Sequence, residues 1–187
     1  IYNIGIIREF PKENITYNEL NYNGVKLCIS LAEEQGIKRF ILMSANGVKD
    51  VGTRYQTTKY LAEQELKNSN LNWTIFRPSL IFGRPLLSHH PEFCKQLRDT
   101  MLNLPLPAPL FFDGILPFNA GKFCMSPIHV KNVAEFFVNS IGDKSKILKT
   151  YDLGGNKKVS WIAIIEAISF TLGKSKLKVP APVIIVK

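Results

Sequence analysis

Apolar and polar residues follow two different patterns, which alternate along the chain. Short runs rich in Ile, Val, Phe and Leu are separated by longer stretches in which apolar residues recur every three or four positions. The first pattern is typical of buried parallel strands and the second of amphipathic helices. Their alternation predicts βαβ units, and therefore an α/β fold around a parallel sheet. The predicted strands are 1–7, 38–44, 71–78, 123–128 and 150–153, and the predicted helices are 16–35, 55–67, 91–102, 130–141 and 160–172.

The segment 82–122 departs from this alternation. Apart from the predicted helix 91–102 it lacks a clear period, and it is interrupted by Pro85, Pro91, Pro105, Pro107, Pro109 and Pro117. Long irregular segments are uncommon in compact domains and often form lids or binding loops. We therefore expect this segment to shape a substrate pocket.

Composition narrows the class of protein. With 187 residues, 45% of them hydrophobic, the chain suits one packed domain rather than two or a disordered segment. No apolar stretch approaches the roughly 20 residues that span a bilayer. The net charge is +9, and seven of these charges lie in 144–187, where dispersed lysines without interleaved aromatic residues favour a solvated face over a nucleic-acid site.

The ends and the rarer side chains indicate the setting. The chain starts without Met or a signal-peptide pattern and stops inside an apolar run, so both ends read as cut. Cys28, Cys94 and Cys124 are far apart and predict reduced, buried thiols in a cytoplasmic protein. No metal is expected, because neither His89-His90 nor His129 has Cys or carboxylate partners at ligand spacing.

The sharpest chemical pattern is Tyr55-Gln-Thr-Thr-Lys59 at the start of a predicted helix. Residues four apart share a helix face, and a cation near a phenol favours the phenolate. Lys59 is therefore expected to lower the pKa of Tyr55, so that Tyr55 can move a hydroxyl proton. Ser44 ends one predicted strand and Pro78 another, which predicts that both lie at the sheet edge where open α/β folds bind ligands.

Five segments in this order resemble the short-chain dehydrogenase/reductase superfamily, in its extended or atypical branch. They are Ile37-Lys-Arg-Phe-Ile-Leu-Met-Ser44, Tyr55-x-x-x-Lys59, Phe76-Arg-Pro-Ser-x-Ile-Phe-Gly83, Ile128-His-Val-Lys-Asn-Val-Ala134 and Tyr151-Asp-Leu-Gly-Gly155. The nearest likeness is to NmrA-like and epimerase-like proteins related to the dehydrogenase-like accessory subunit of respiratory complex I. The resemblance implies a Rossmann-like, doubly wound parallel sheet that is incomplete at its N-terminus. Residues 1–83 would form the later part of the NAD(P)-binding domain, and 84–187 a small substrate-side region with interleaved returning elements.

The resemblance also implies roles for individual residues. Tyr55 would be the catalytic acid/base, Ser44 a second catalytic hydroxyl, and Lys59 both a catalytic and a ribose-binding residue. NAD or NADP would be bound by Ser44, Tyr55 and Lys59 together with Gly5, Pro78, Ser79, Leu80 and Ile81. Asn21 matches the helix Asn of the family's N-x-x-G pattern, although a surface amide is the alternative.

The sequence departs from the family in two respects. Ala45 follows Ser44 where sugar-epimerase relatives have consecutive serines, so the working hydroxyl is absent or displaced by one position. The glycine-rich fingerprint that cradles the pyrophosphate is also missing from these residues. Since 1–7 resembles the family's fourth strand, we expect the first three strands to precede this segment.

Three functional hypotheses remain open at this point. The first is an NAD(P)-dependent oxidoreductase or epimerase acting on a small carbonyl compound or sugar nucleotide, and the pair Tyr55 and Lys59 favours it. The second is a non-catalytic NAD(P)-binding subunit or redox-sensing regulator, favoured by Ala45. The third is that this segment by itself binds no cofactor. Homodimerisation through the Tyr55 helix and its preceding neighbour is expected from the resemblance.

Overall fold

The computed structural model describes residues 1–84, 93–103 and 105–183. Five α-helices occur in these ranges: α1 (Gly24–Glu34), α2 (Arg54–Lys67), α3 (Phe93–Leu97), α4 (Val130–Ser140) and α5 (Trp161–Thr171). Nine strands occur there: β1 (Arg39–Met43), β2 (Asn72–Pro78), β3 (Ile81–Phe82), β4 (Ala108–Phe112), β5 (Cys124–Met125), β6 (Ile128–His129), β7 (Lys149–Leu153), β8 (Val159–Ser160) and β9 (Lys178–Pro182). The contacts divide the chain into two compact units, one of 1–79 and 132–153 and the other of 80–131 and 154–187.

The first unit contains the predicted parallel sheet. Its strands lie in the order β1-β2-β7, with Phe40 opposite Trp73 and Thr74 opposite Lys149. Alternate strand residues face opposite sides of a sheet, and here both sides are covered by helices. The side chains on one side form a core with α1 and α2; its buried members are Tyr2, Val25, Ile29, Ala32, Phe40, Leu42, Ala62, Leu66, Leu71, Trp73 and Ile75. On the other side Phe76 packs on Phe137 of α4, with ring centroids 4.9 Å apart. The doubly wound α/β prediction is thus confirmed.

Several helix boundaries follow from local signals that the sequence displays. α1 is preceded by a π-helical turn (Asn18–Asn23), and this continuous helical stretch ends before Gly36, which has a positive φ of 67°. The Ser160 hydroxyl accepts a hydrogen bond from the backbone N–H of Ala163 and caps α5. The helix predicted from 91 is described from Phe93 and continues beyond Leu97 as a π-helical turn (Arg98–Leu102).

The predicted buried strand 1–7 is largely wrong. Tyr2 alone pairs with β1, bridging to Leu42, whereas Ile1, Ile4 and Ile7 are 62%, 57% and 71% exposed. Beyond Tyr2 the backbone of Ile6 is bonded to the Asn21 side chain instead of to the sheet. The apolar composition of the run indicated burial, but only one of its residues is hydrogen-bonded to β1.

The second unit is built from short strand pairs around α5. β3 pairs with β6 and β4 with β9, both parallel, while β5 pairs with β8 antiparallel. Its buried core consists of Leu97, Ala108, Trp161, Ile164 and Ile165. The strand predicted over 123–128 is two strands with different partners, because Pro127 interrupts it.

Prolines also concealed the strand pair β4–β9 inside segments that read as irregular. Pro109 lies in β4, and Pro180 and Pro182 lie in β9. Pro lacks the N–H that a ladder needs, so a proline-rich run is normally not read as a strand, but a two-stranded edge pair tolerates it.

The structure also bears on the predictions about thiols, metal ligands and membrane spans. Cys28 and Cys94 are only partly buried and Cys124 is exposed, so the prediction of buried thiols is wrong. His89 and His90 lie outside the described residues. Within the described ranges no group of three or more His, Cys, Asp or Glu side chains could hold a metal ion, and no helix is long and apolar enough to cross a membrane.

Candidate functional site

The N-terminus of α2 is fixed by a reciprocal capping interaction. The Thr53 hydroxyl accepts from the Gln56 backbone N–H, and the Gln56 side-chain oxygen accepts from the Thr53 backbone N–H at 2.9 Å. The Gln56 amide also donates to the carbonyl of Gly47 at 2.9 Å, in the loop after β1. These bonds hold the first turn of α2, which carries Tyr55, against the carboxyl end of the sheet.

Tyr55 is partly buried, and its ring stands edge-on to that of Tyr17, with centroids 5.7 Å apart. The Tyr17 hydroxyl donates to the Ile7 carbonyl at 2.8 Å, which holds this aromatic wall in place. Within 1–84, 93–103 and 105–183, the Tyr55 hydroxyl has no hydrogen-bond partner. It is therefore available to an incoming group.

Lys59 lies one turn further along α2 and is buried. Its ammonium donates to the Met43 carbonyl at 3.3 Å, at the end of β1. Burial lowers the pKa of Lys59 to about 8, while the nearby Glu63 carboxylate acts in the opposite direction. An ammonium has three donors, so the one bond to Met43 leaves donors for a further acceptor.

The expected effect of Lys59 on Tyr55 is not what the structure shows. The pKa of Tyr55 is raised, first because the phenol is removed from water and second because Tyr17 lies beside it. Spacing places the two side chains on one helix face, as predicted, but the ammonium is hydrogen-bonded to the Met43 carbonyl. The predicted lowering of the Tyr55 pKa is therefore wrong, since burial of the phenol raises it.

Gly5 and Asn21 complete the surroundings of the ammonium. A Cβ at Gly5 would lie 2.8 Å from the Lys59 nitrogen and 3.0 Å from the Asn21 side-chain oxygen, so a larger residue would displace one of them. Asn21 is fully buried within the π-helical turn, and its amide accepts from the Ile6 N–H at 3.1 Å and donates to the Ile6 carbonyl at 3.3 Å. The alternative of a surface amide for Asn21 is therefore wrong.

Ser44 has a different environment from the one expected of a catalytic hydroxyl. Its hydroxyl donates to Glu63 Oε1 at 2.6 Å, and both residues are buried. Arg77 donates to the same carboxylate from Nε at 2.8 Å and from Nη2 at 2.6 Å, which raises the pKa of Arg77. The Ser44 hydroxyl is thus held by a buried ion pair.

Glu63 and Arg77 were not singled out from the sequence. A signal did exist, because Glu63 follows Lys59 by four residues and Tyr55 by eight, which places all three near one face of α2. A carboxylate on a buried face needs a partner, and Arg77 stands inside the strand segment that resembles the family. Neither residue could be paired with the other from spacing alone.

The remaining predicted residues lie at the end of β2 and just beyond. The Pro78 carbonyl accepts from the Asn46 N–H at 3.0 Å, and the Ser79 N–H donates to the Leu153 carbonyl at 2.8 Å. The carboxyl ends of β1, β2 and β7 are therefore neighbours, as expected. Leu80 and Ile81 belong to the second unit, where the Leu80 carbonyl accepts from Ile128 and Ile81 pairs with Ile128.

The donor set of the first unit fits a nicotinamide ribose. A ribose offers two vicinal hydroxyls, and Lys59 and Tyr55 offer a buried ammonium with spare donors and an unengaged phenol. Gly5, Lys59 and Asn21 are so close that only a residue without Cβ fits between them. The sequence contains no glycine-rich fingerprint of the kind that binds a pyrophosphate.

Comparison with known proteins supports the same cofactor class. A family model described as NAD(P)H-binding matches residues 11–85. The chain is 23% identical over 188 residues to the 40 kDa subunit of mitochondrial NADH-ubiquinone oxidoreductase of Neurospora crassa, covering 100% of this chain and 45% of that protein. It is 23% identical over 181 residues to mouse NADH dehydrogenase [ubiquinone] 1 alpha subcomplex subunit 9, covering 95% and 44%.

An enzyme is also among the relatives. The chain is 22% identical over 187 residues to UDP-glucose 4-epimerase of Vibrio cholerae, covering 89% of this chain and 53% of that enzyme. The chain thus spans about half the length of the curated relatives it matches.

Solved structures show the fold. A short-chain dehydrogenase/reductase superfamily protein from Agrobacterium tumefaciens with bound NAD superposes with a TM-score of 0.68 at 15% identity, covering 95% of this chain and 66% of that one. UDP-glucuronic acid 4-epimerase from Bacillus cereus, in complex with UDP-glucuronic acid and NAD, gives 0.65 at 20% identity, covering 96% and 60%. The predicted Rossmann-like fold and the predicted resemblance are confirmed.

The buried ammonium predicts an unusual pH dependence of stability. Since the folded-state pKa of Lys59 is about 8 against an ordinary 10.5, its charge opposes folding fully below pH 8, and this penalty disappears as the pH rises toward 10.5. Lys59→Met is expected to raise the free energy of unfolding at pH 7 by roughly 2 kcal/mol. Urea unfolding of both proteins between pH 6 and 10.5 measures the difference, which should shrink above pH 8. A Lys59→Met variant that is less stable than the parent at pH 7 contradicts this reading.

The buried carboxylate predicts the opposite result. Glu63→Gln leaves Arg77 and Ser44 without their anion and is expected to lower the free energy of unfolding by about 3 kcal/mol. Glu65→Gln is the matched control on the same helix, because Glu65 forms a more exposed pair with Lys26, and its loss is expected to cost less than about 1 kcal/mol. Equal losses for the two variants, measured by denaturant unfolding, would show that the Glu63 network does not stabilise the fold.

Proposed function

Because the chain has the fold of the short-chain dehydrogenase/reductases and resembles their extended branch in sequence, we propose that it is an NAD(P)-dependent oxidoreductase or epimerase of that type. The observation that carries the proposal is the arrangement on α2, where an unengaged Tyr55 hydroxyl and a buried Lys59 ammonium lie one turn apart at the carboxyl end of β1. Its substrate is a small carbonyl compound or a sugar nucleotide.

The proposed cofactor is NAD or NADP, and its nicotinamide supplies the hydride acceptor or donor. In the first unit, Lys59 donates to the ribose hydroxyls with the donors that Met43 leaves free, and Gly5 provides the close approach beside it. Pro78 and Ser79 line the site from the end of β2. We also propose Leu80 and Ile81, which follow them in the chain, as cofactor-binding residues.

Tyr55 moves the proton in this proposal. Burial raises the pKa of its hydroxyl, so the group is protonated at neutral pH and is poised to donate a proton to the oxygen of a carbonyl group whose carbon accepts hydride. Lys59 is mainly charged at pH 7, since its pKa is about 8, and it stabilises the phenolate that remains. Charge on Lys59 therefore matters most after the proton has left Tyr55.

A second candidate is a non-catalytic NAD(P)-binding subunit or regulator. It is favoured by Ser44, whose hydroxyl is bonded to Glu63 and so is not free to polarise a substrate. The similarity to respiratory-complex subunits from Neurospora crassa and mouse supports the same candidate. In that case Lys59 and Gly5 keep their binding role while Tyr55 has no proton to move.

Substitution of Tyr55 separates the two candidates. Calorimetric titration with NADH and NADPH tests binding, and a set of sugar nucleotides and carbonyl compounds, with products followed by chromatography, tests turnover. Tyr55→Phe is expected to lower kcat by about 10²–10⁴-fold and to leave the dinucleotide Kd nearly unchanged, because only the proton donor is lost. Tyr60→Phe, on the same helix, is the control and is expected to change neither.

The outcomes are distinct. Dinucleotide binding without turnover of any substrate class supports the non-catalytic candidate. Absence of binding to both NADH and NADPH contradicts both candidates and supports the third hypothesis, that this segment by itself binds no cofactor.

We also propose that the protein forms a homodimer through α1 and α2. Leu27 and Leu31 of α1 and Leu61 of α2, the helix that carries Tyr55 and Lys59, are exposed apolar side chains. Leu27→Glu is expected to shift the protein to monomer in sedimentation velocity, since it adds a charge to the proposed contact. A monomeric parent protein at all concentrations contradicts this part of the proposal. We also propose a cytoplasmic location, because Cys28 and Cys124 form no disulfide bond, and fluorescence microscopy of the tagged protein tests it.

A further inference from the structure

The second unit contains a cavity whose described lining includes none of the candidate-site residues. Its volume is about 470 Å³, and it is lined by Phe111, Phe112, Asp113, Asn119, Phe123 and Val183. Pockets that bind small molecules usually measure roughly 300–1,000 Å³ and combine apolar walls with a few polar groups. This cavity has both properties.

The aromatic walls are held by Trp161. The ring of Phe123 stacks on Trp161, and the ring of Phe111 lies tilted against it, each with centroids 5.8 Å apart. Trp161 is buried and donates from its indole nitrogen to the Pro109 carbonyl at 2.8 Å. The wall is therefore assembled before any ligand arrives, which reduces the entropy lost on binding.

The backbone near the cavity is also constrained. Gly121 has a φ of 69°, and a Cβ there would lie 2.7 Å from the Ile162 side chain. Its N–H donates to the Phe111 carbonyl at 2.8 Å, while the Trp161 N–H donates to the Phe123 carbonyl at 3.0 Å. These bonds hold Phe111 and Phe123 beside Trp161.

The charge of the lining excludes one class of ligand. Among the described residues that line the cavity, Asp113 is the charged one and Asn119 the other polar one, and neither Lys nor Arg is present. A nucleoside diphosphate carries several negative charges, which need cationic or N–H partners. Apolar rings, by contrast, gain from offset or edge-on contact with Phe side chains.

We propose that this cavity binds an uncharged, planar, ring-containing apolar molecule that donates a hydrogen bond to Asp113 or Asn119, and that it does not bind a nucleoside diphosphate. The three Phe side chains supply the contact area, and the two polar groups orient the ligand. The proposal stands independently of the dinucleotide chemistry, since all of its residues belong to the second unit. Loss of dinucleotide binding would leave it unaffected.

A matched pair of fluorescent probes tests the proposal with the 187-residue chain. N-phenyl-1-naphthylamine is uncharged and has an N–H donor, and 8-anilinonaphthalene-1-sulfonate has the same ring system with an added sulfonate. The neutral probe is expected to bind saturably and at least about tenfold more tightly than the anionic one, because Asp113 repels the sulfonate. Uridine diphosphate is expected not to displace it.

Substitutions locate the site. Phe112→Ala is expected to weaken the neutral probe about tenfold, since one aromatic contact is lost. Phe170→Ala is the matched control, because Phe170 is 87% exposed and does not line the cavity. It is expected to leave both affinities unchanged.

A charge reversal keeps the test decisive even if Phe112→Ala fails to fold. Asp113 is exposed on the rim, so Asp113→Lys is tolerated by the fold, and it is expected to remove the preference for the neutral probe by strengthening binding of the sulfonate. Three results would overturn the proposal: displacement of the neutral probe by uridine diphosphate, equal losses in Phe112→Ala and Phe170→Ala, or an unchanged preference in Asp113→Lys.

Discussion

The fully buried carboxylate of Glu63 links the elements of the first unit that carry the candidate site. Glu63 of α2 accepts hydrogen bonds from Ser44, after β1, and from both Nε and Nη2 of Arg77 in β2. A buried charge is tolerated only when its partners replace the water it has lost, so the positions of these three groups depend on one another. The ion pair thereby fixes the depth at which α2 lies against the carboxyl ends of the two strands.

The rest of the candidate site follows from that placement. Lys59 is one turn before Glu63, and at this depth its ammonium lies beside Met43, Gly5 and Asn21, away from solvent. Among the described residues no carboxylate is hydrogen-bonded to the Lys59 ammonium, in contrast to the Arg77 guanidinium, and burial lowers the pKa of Lys59 to about 8. One face of α2 therefore holds a stabilising anion, Glu63, and a destabilising cation, Lys59. A bound group that needs a desolvated hydrogen-bond donor would use Lys59.

The second unit obtains its order in a different way. Its described strands are short and form three separate two-stranded pairs, and α5 with Trp161 packs against β4 and β8. Prolines remove backbone donors from β4 and β9, and β4 also packs through Phe111 against Trp161. The second unit also has an apolar cavity with the acidic side chain of Asp113 at its rim. The chemistry of this lining does not match a sugar nucleotide, which is the ligand of the Bacillus cereus epimerase.

The sequence by itself determined the α/β class, the helices predicted over 55–67 and 160–172, the strands predicted over 38–44 and 71–78, and the placement of Tyr55 and Lys59 on one helix face. These features are local, because hydrophobic period, caps and residue spacing within one element fix them. Only the tertiary structure decided which side chains Glu63, Ser44 and Asn21 contact, why burial raises the pKa of Tyr55, and that the apolar run at 1–7 pairs through Tyr2 alone. Such features depend on residues distant in the chain, whose desolvation and partners no short pattern contains.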